Sequence, residues 1–333
     1  MRGRRMQYVA LAAYIAILCC QGCAPGGART PEPTARRRST TAAPDEQYVR
    51  AIAEIKELVK AGESAAAKEI VKQLKEEFPD QVGPDLDVFV AGELHYWADR
   101  YGKALVKYEK LMKHYPGSEF AELVQEREYN IAAAYLQGRK KKILGFIKIS
   151  GYAEGVAVMD KISDRAGLDE PNGVGLRAAI AVAEHYERTE QYLDAYLKWS
   201  EIASYWESGP IGKRAIFRMA EDNLAAYHAH SPDERHVFDA SKLTTARTYY
   251  ERFLALYPEE AAKKDVPEKI RLIDEQMAYK QLKIAQYYRR TGKHRAAYLY
   301  FDMIIQNWPD TEAAETARHE IAEHMDGGPT SGK

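Results

Sequence analysis

The stretch that decides the fold runs from Ala297 to Pro309 and reads AYLYFDMIIQNWP. Its apolar side chains follow the alanine at spacings of 4, 7 and 11 residues, which trace one face of a helix with 3.6 residues per turn. The proline then ends the helix, because it lacks an amide N–H and collides with the preceding turn. The same pattern recurs along the chain, so the sequence predicts a helical repeat. Its alanines and prolines are Ala67 and Pro79, Ala104 and Pro116, Ala246 and Pro258, and Ala297 and Pro309.

Another helix precedes each of these, and a small residue marks the point where the two helices cross. Twelve residues before Ala104 stands Gly92, and twelve before Ala297 stands Ala285. Small residues at both positions let two helices approach closely, which is the pattern of tetratricopeptide (TPR) repeats. The sequence therefore predicts an all-α, TPR-like solenoid of about five to six helix pairs. A terminal helix is predicted from Thr311 to Met325.

Composition and side-chain spacing argue against an enzyme. Charged residues make up 29% and apolar residues 46% of the chain, as in folded soluble proteins. The net charge of −1 gives no sign of a nucleic-acid partner. His319 and His324 are five residues apart, on different faces of a helix, so they do not form a zinc-protease motif. With no nucleophile–base pair visible, we expect a non-enzymatic binding protein without a cofactor or metal site.

The N-terminus resembles a bacterial lipoprotein signal. Three arginines among the first five residues precede an apolar run of 13 residues from Tyr8 to Cys20. That run is shorter than the roughly 20 residues needed to cross a bilayer, and it has the form of a secretory signal. Gly22 and Cys23 then resemble a lipobox, so residues 1–22 are predicted to be removed and Cys23 to be lipidated. The alternative is a plain secretory signal with incidental cysteines.

The remaining chain divides by composition into five segments. Residues 23–45 hold the lipidated cysteine and then a stretch rich in Pro, Gly, Ser, Thr and Ala, which is typical of a flexible tether. Residues 46–137 form the N-terminal TPR-like units, and residues 151–325 form the C-terminal units with the terminal helix. Residues 138–150 separate them as a basic and apolar insertion. Residues 326–333 are predicted to be a disordered tail.

The insertion reads GRKKKILGFIKIS from Gly138 to Ser150, with five cations and no acid. It interrupts the third repeat unit between its two helices. Two interpretations stay open. It docks on a membrane surface or a partner, or it is a long loop packed on its own solenoid.

The first helices of successive TPR units line a groove, which is the predicted binding surface. In the N-terminal half, Phe89, Glu93, Tyr96 and Trp97 would form a wall suited to an extended or hairpin peptide. Further predicted groove positions are Lys56, Lys60, Arg177, Glu184, Arg188, Tyr279 and Gln286.

The last unit predicts a second binding surface, made of cations around Gly292. A turn held by glycine is expected to present its side chains outward, where they would meet an acidic partner and influence mainly association rate and partner choice. These cations are Arg289, Arg290, Lys293 and Arg295.

A lipobox, a short tether and five or so TPR-like units together resemble the BamD family of the outer-membrane β-barrel assembly machinery. The last unit carries the best local match, with a tyrosine pair, a glycine and a Trp-Pro-Asp-Thr ending where the family usually has Tyr-Pro-Asp-Thr. The insertion at residues 138–150 departs from the family pattern. The matching residues are Tyr279, Ala285, Tyr287, Tyr288, Gly292, Ala296, Ala297, Trp308, Pro309, Asp310 and Thr311.

The resemblance implies a non-enzymatic adaptor that is lipid-anchored on the periplasmic face of the outer membrane. Its C-terminal units would hold a BamA-like barrel protein, and its N-terminal groove would receive segments of outer-membrane protein clients. The rival interpretation is a periplasmic TPR scaffold of the cell envelope, of the YbgF type that works with the Tol-Pal system.

Overall fold

A computed structural model describes residues 46–143, 147–231, 237 and 239–326. The predicted signal peptide, the tether with Cys23 and residues 327–333 lie outside these ranges, as does part of the insertion. Within the described residues the protein is helical, apart from one two-stranded antiparallel hairpin.

The described elements, in chain order, are α1 (Glu46–Ala61), α2 (Ser64–Glu77), α3 (Pro84–Trp97), α4 (Tyr101–His114), α5 (Ala121–Leu136), β1 (Lys140–Ile143), β2 (Ile147–Ser150), α6 (Tyr152–Ala166), α7 (Val174–Arg188), α8 (Tyr192–Tyr205), α9 (Gly209–His228), α10 (Ser241–Leu256), α11 (Pro258–Lys263), α12 (Val266–Arg290), α13 (His294–Asn307) and α14 (Glu312–Asp326).

The helices of the described chain pack in sequential pairs, as the repeat pattern predicts. The pairs are α1 with α2, α3 with α4, α5 with α6, α7 with α8, α9 with α10, and α12 with α13. The short α11 lies between the last two pairs, and α14 packs on both helices of the final pair. The predicted all-α, TPR-like class is therefore confirmed, and the terminal helix lies one residue from its predicted bounds.

The alanine and small-residue positions are buried where the paired helices meet. Ala104 is fully buried and Ala297 nearly so. Gly92 lies so close to α4 that a methyl group there would stand 2.5 Å from Cε1 of Tyr108. Helix α4 ends just before Tyr115, whose N–H donates to the carbonyl of Leu111. The spacing read from the sequence thus fixes both the helix crossing and the helix end.

The turn inside several pairs needs a left-handed residue, five positions before the buried alanine. Gly62, Asp99, Glu190 and Gly292 occupy it, with φ between 57° and 82°. The N–H of the next residue then bonds to the carbonyl five residues back, as from Lys293 to Tyr288 at 2.9 Å. Glycine adopts this conformation freely, whereas Asp99 and Glu190 do so at a steric cost.

The apolar core consists of clusters that are shared between neighbouring helix pairs. One cluster extends from α1 to α5, and later clusters each combine side chains from three or four consecutive helices. The 25-residue α12 belongs to two clusters, with Ile273 in the penultimate one and Ala278 in the last. Each unit therefore depends on its neighbours for burial, as in other solenoids.

The insertion between α5 and α6 is a β-hairpin, which corrects its interpretation as a loop. Lys140 pairs with Ser150 and Ile143 with Ile147. The physical reason lies in the sequence IKIS, where β-branched isoleucine alternates with polar residues at the two-residue period of a strand.

Candidate binding surfaces

The carboxylate of Glu93 organises the predicted N-terminal surface from within. Glu93 is 2% exposed and accepts a 2.5 Å hydrogen bond from the Tyr108 hydroxyl. Arg127 of α5 binds it in a bidentate manner, with its Nε 3.0 Å from Oε1 and its Nη2 3.0 Å from Oε2. The indole N–H of Trp97 donates to Oε2 at 3.3 Å. Glu93 therefore joins two repeat units instead of facing a ligand.

Arg127 completes this cluster from the next unit. Its guanidinium carbon lies 4.7 Å from the ring centre of Tyr96 and 5.1 Å from that of Trp97. Burial alone would lower the pKa of Arg127, but its hydrogen bonds and attraction to Glu93 outweigh burial and raise that pKa. Burial, followed by the charge of Glu93, raises the pKa of Tyr108. The cluster is thus a fixed ion pair under two aromatic rings.

The four predicted N-terminal contact residues consequently differ in their accessibility. Phe89 is buried and stacks on Phe120, with ring centres 4.3 Å apart. Tyr96 is half-buried, and Trp97 is 38% exposed. The face that remains available to a ligand is the edge of Trp97 beside Tyr96.

Similar ion pairs join the first helices of successive units. Arg127 of α5 binds Glu93 of α3, Arg177 of α7 binds Glu126 of α5, and Arg214 of α9 binds Glu184 of α7. We call these three the inter-unit ion pairs. Arg177 and Glu184, predicted as groove residues, are therefore neutralised by their neighbours. Arg188 is also engaged, because its Nη2 donates to the carbonyl of Leu136 at 3.0 Å.

The last unit corrects the expectation that all four of its cations face outward. Arg289 forms an ion pair with Glu320 of α14, which is 8% exposed. The reason is helical phase: Arg289 follows the buried Leu282 and Ala285 by seven and four residues, on the face of α12 that packs against α14. Arg289 thus supports the terminal helix.

The other three cations form what we call the C-terminal basic rim. Arg290, Lys293 and Arg295 are exposed, and within the described chain none of them has an ion-pair partner. Tyr279 and Tyr287, on the outer face of α12, are 46% and 53% exposed. Lys283 lies between them, with its Nζ 4.7 Å from the ring centre of Tyr279. This end of the molecule presents cations and aromatic rings together.

One buried acid lies outside these pairings. Asp222 of α9 is 3% exposed, and its Oδ2 has no hydrogen-bond partner among the described atoms. Burial raises the pKa of Asp222 to about 8, with the nearby charge of Glu187 adding to the effect and Arg218 opposing it. At neutral pH this carboxyl is therefore largely protonated.

A cleft of about 440 Å³ between α4, α5 and α6 was not predicted from the sequence. Its apolar lining includes Met112 and Val158, and its buried carboxylate is Glu128. Burial raises the pKa of Glu128, opposed by Arg165, whose Nη2 lies 2.9 Å from it. The remaining lining carries charges of both signs, so it does not select one ligand charge.

No described group of three or more His, Cys, Asp or Glu residues is placed to hold a metal ion. Of the helices in the described ranges, none combines the length and the apolar character required to cross a membrane.

The comparisons with known proteins concern mainly the C-terminal region. Residues 224–325 match the model of a family described as YfiO, outer membrane lipoprotein, and they run from α9 to α14. No curated protein matches the chain.

Among solved structures, the chain is similar to the crystal structure of PilW, described as a widely conserved type IV pilus biogenesis factor. The identity is 15% over 82% of this chain and 98% of that chain, with a TM-score of 0.28. At this identity and TM-score, nothing about function follows from the likeness. The predicted resemblance to BamD is confirmed for the C-terminal region, where residues 224–325 match the model of the YfiO family, described as outer membrane lipoprotein.

Proposed function

We propose that this protein is a non-enzymatic adaptor lipoprotein of outer-membrane β-barrel protein assembly. Its C-terminal units bind a BamA-like barrel protein, and its N-terminal units receive segments of outer-membrane protein clients. The observation that carries the proposal is the C-terminal basic rim: among the described residues, its cations lack acidic partners of the kind that neutralise the inter-unit arginines. The rim lies inside residues 224–325, the region of the family match.

The chemistry of the rim favours an acidic protein surface as its partner. Exposed charges on an interface act mainly on association rate and partner choice, and salt screens them. Tyr279 and Tyr287 add the large apolar area on which interfaces depend for affinity. An acidic patch with apolar neighbours on the barrel protein would complement this end of the adaptor.

Reversal of the rim charges tests this proposal. We expect Arg290→Glu combined with Arg295→Glu to reduce co-purification of the barrel partner at low salt, and to do so less at high salt. Arg289 is left intact, because an acid there would face Glu320 and disturb α14. Lys68→Glu with Lys72→Glu is the matched control, since both lysines are exposed on α2 and lack ion-pair partners within the described chain. Normal partner recovery by the rim variant at low salt would contradict the proposal.

For the N-terminal units, we propose that a client segment contacts the exposed edge of Trp97. Trp97→Ala removes this ring but leaves the Glu93–Arg127 pair, whereas Phe89→Ala would create a core cavity. Weaker recovery of clients with Trp97→Ala, at unchanged helicity, supports the contact. Unchanged recovery would exclude it.

The proposed location depends on Cys23. Residues 1–22 would be the signal, residues 23–45 the lipidated cysteine and tether, and the periplasmic face of the outer membrane the final site. Cys23→Ala should leave the precursor uncleaved or release the protein from membranes into the soluble periplasmic fraction. Normal processing and membrane retention of this variant would rule out the anchor.

A further inference from the structure

The β1–β2 hairpin is fixed at its base to three helices. Arg139 forms an ion pair with Asp99 at 2.8 Å, and its guanidinium carbon lies 4.2 Å from the ring centre of Tyr101. Lys141 forms an ion pair with Glu154 of α6. Gly151 closes the base so tightly that a methyl group there would stand 2.4 Å from Cδ1 of Tyr135. The helical array therefore sets the orientation of the hairpin.

Those contacts use two of the five cations in the segment, Arg139 and Lys141. The register pairs Lys140 with Ser150 and Lys142 with Lys148, so three lysine positions share one face of the ladder. Lys140 and Lys148 are exposed, and the described residues offer neither of them an ion-pair partner. Like charges directly opposite one another destabilise a strand pair. An external anion would relieve this repulsion.

The shape of this face favours an extended anionic surface over a single ligand. A two-stranded ladder presents the side chains of one face side by side to solvent, and the pocket near it opens among α4, α5 and α6 instead of among the strands. Clusters of exposed lysines attract anionic lipid headgroups through their charge and need no shaped binding pocket. Tyr152, which follows the hairpin at the start of α6, is 42% exposed, and amphipathic rings of this kind rest at the headgroup boundary. Ile149 is paired with Lys141 and therefore lies on the other face of the ladder.

We propose that the basic face of the hairpin docks on an anionic phospholipid surface. The docking orients the helical array relative to the bilayer. It adds to the proposed lipid anchor but does not depend on it, since the electrostatic attraction acts on the unlipidated chain too. Each lysine near an anionic membrane raises binding about fivefold, so a few lysines suffice to orient a protein that is already tethered.

The test uses the mature chain, residues 23–333, with Cys23→Ser to remove the lipid. Its sedimentation is measured with vesicles of phosphatidylethanolamine and phosphatidylglycerol, with vesicles of phosphatidylcholine alone, and without vesicles. We expect binding to the anionic vesicles only. Lys140→Glu with Lys148→Glu should weaken that binding by at least about tenfold. Lys68→Glu with Lys72→Glu, which makes the same change of charge on α2, should leave it unchanged.

Each other outcome overturns the proposal. Equal binding of the hairpin variant and the parent chain would exclude the hairpin, and equal loss in both double variants would reduce the effect to net charge. If the hairpin variant loses a co-purified protein from solubilised membranes but keeps its vesicle binding, the face takes an acidic protein instead. If the variant only aggregates without vesicles, the lysines serve to protect strand edges. The rim's partner binding is measured separately, so failure here leaves the adaptor proposal intact.

Discussion

The arginines of the N-terminal and middle units contrast with those at the C-terminal end of α12. Arg127, Arg177 and Arg214 each form an ion pair with a glutamate of the preceding unit, so their charge is neutralised within the helical array. Arg290 and Arg295 have no such partner in the described structure, and Tyr279 and Tyr287 of α12 are exposed. The same residue type thus joins units in one region and forms an exposed surface in the other. We therefore expect the paired arginines to determine stability and, under the proposed function, the exposed ones to determine binding, so that each property can be perturbed alone.

The largest expected effect comes from breaking an inter-unit ion pair. Arg127→Met leaves the nearly buried Glu93 without its bidentate partner, so we expect the free energy of unfolding to fall by about 3–5 kcal/mol. Arg290→Met removes an exposed charge and should change it by less than about 0.5 kcal/mol. Urea denaturation of both variants measures the two values. Similar losses in the two would remove the distinction between paired and unpaired arginines.

Asp222 sharpens the comparison, because it is a buried acid that the inter-unit ion pairs do not neutralise. Its pKa is about 8 in the folded state against 3.8 for the ordinary group. The folded protein therefore binds more protons than the unfolded chain between these values, and stability is lost as the pH rises from about 4 to about 8. Asp222→Asn should match the parent below pH 4 and become more stable by a few kcal/mol near pH 8.

Unfolding of the parent and of Asp222→Asn across this pH range gives the result directly. A constant difference between the two proteins would show that Asp222 does not titrate in this window. A variant that is stabilised more at acid pH than near pH 8 would contradict a raised pKa of Asp222 in the folded state.

The smallest effect concerns the turns within the pairs, where the fourth and last units differ at one position. Glu190 has φ of 60° and Gly292 has φ of 75° at equivalent places. Glu190→Gly should stabilise the protein by about 0.5–1 kcal/mol, because glycine relieves the left-handed strain. Gly292→Ala should destabilise it by a similar amount. Thermal unfolding with shifts of the same sign in both variants would contradict equivalence of the two turns.

Much of the fold could be predicted because its signals are local. The alanine, the aromatic side chains and the proline of each unit lie within thirteen residues, so the helices and their buried faces follow from one stretch. Gly292 indicates a left-handed turn in the sequence, because glycine adopts positive φ freely. Asp99 and Glu190 give no such indication, because their residue types seldom adopt positive φ. The hairpin was missed because its strands have only four residues each.

The candidate sites were harder to predict because they depend on pairing between units. Glu93 and Arg127 are 34 residues apart, and Glu126 and Arg177 are 51 apart. A single sequence does not show which of several glutamates an arginine reaches. Arg289 could have been placed, because it follows the small residue Ala285 by one helical turn and so shares its buried face.

Photo-crosslinking at the rim tests the central claim most directly. A photoreactive phenylalanine analogue replaces Tyr287 on α12 or, as the matched control, Tyr205 on α8, whose exposed fractions are 53% and 58%. After irradiation of intact cells, adducts are identified from the outer-membrane fraction. The account predicts an adduct with a β-barrel assembly protein from position 287 and none from position 205. The absence of that adduct at position 287, or its equal yield at both positions, would contradict a partner surface at the C-terminal end.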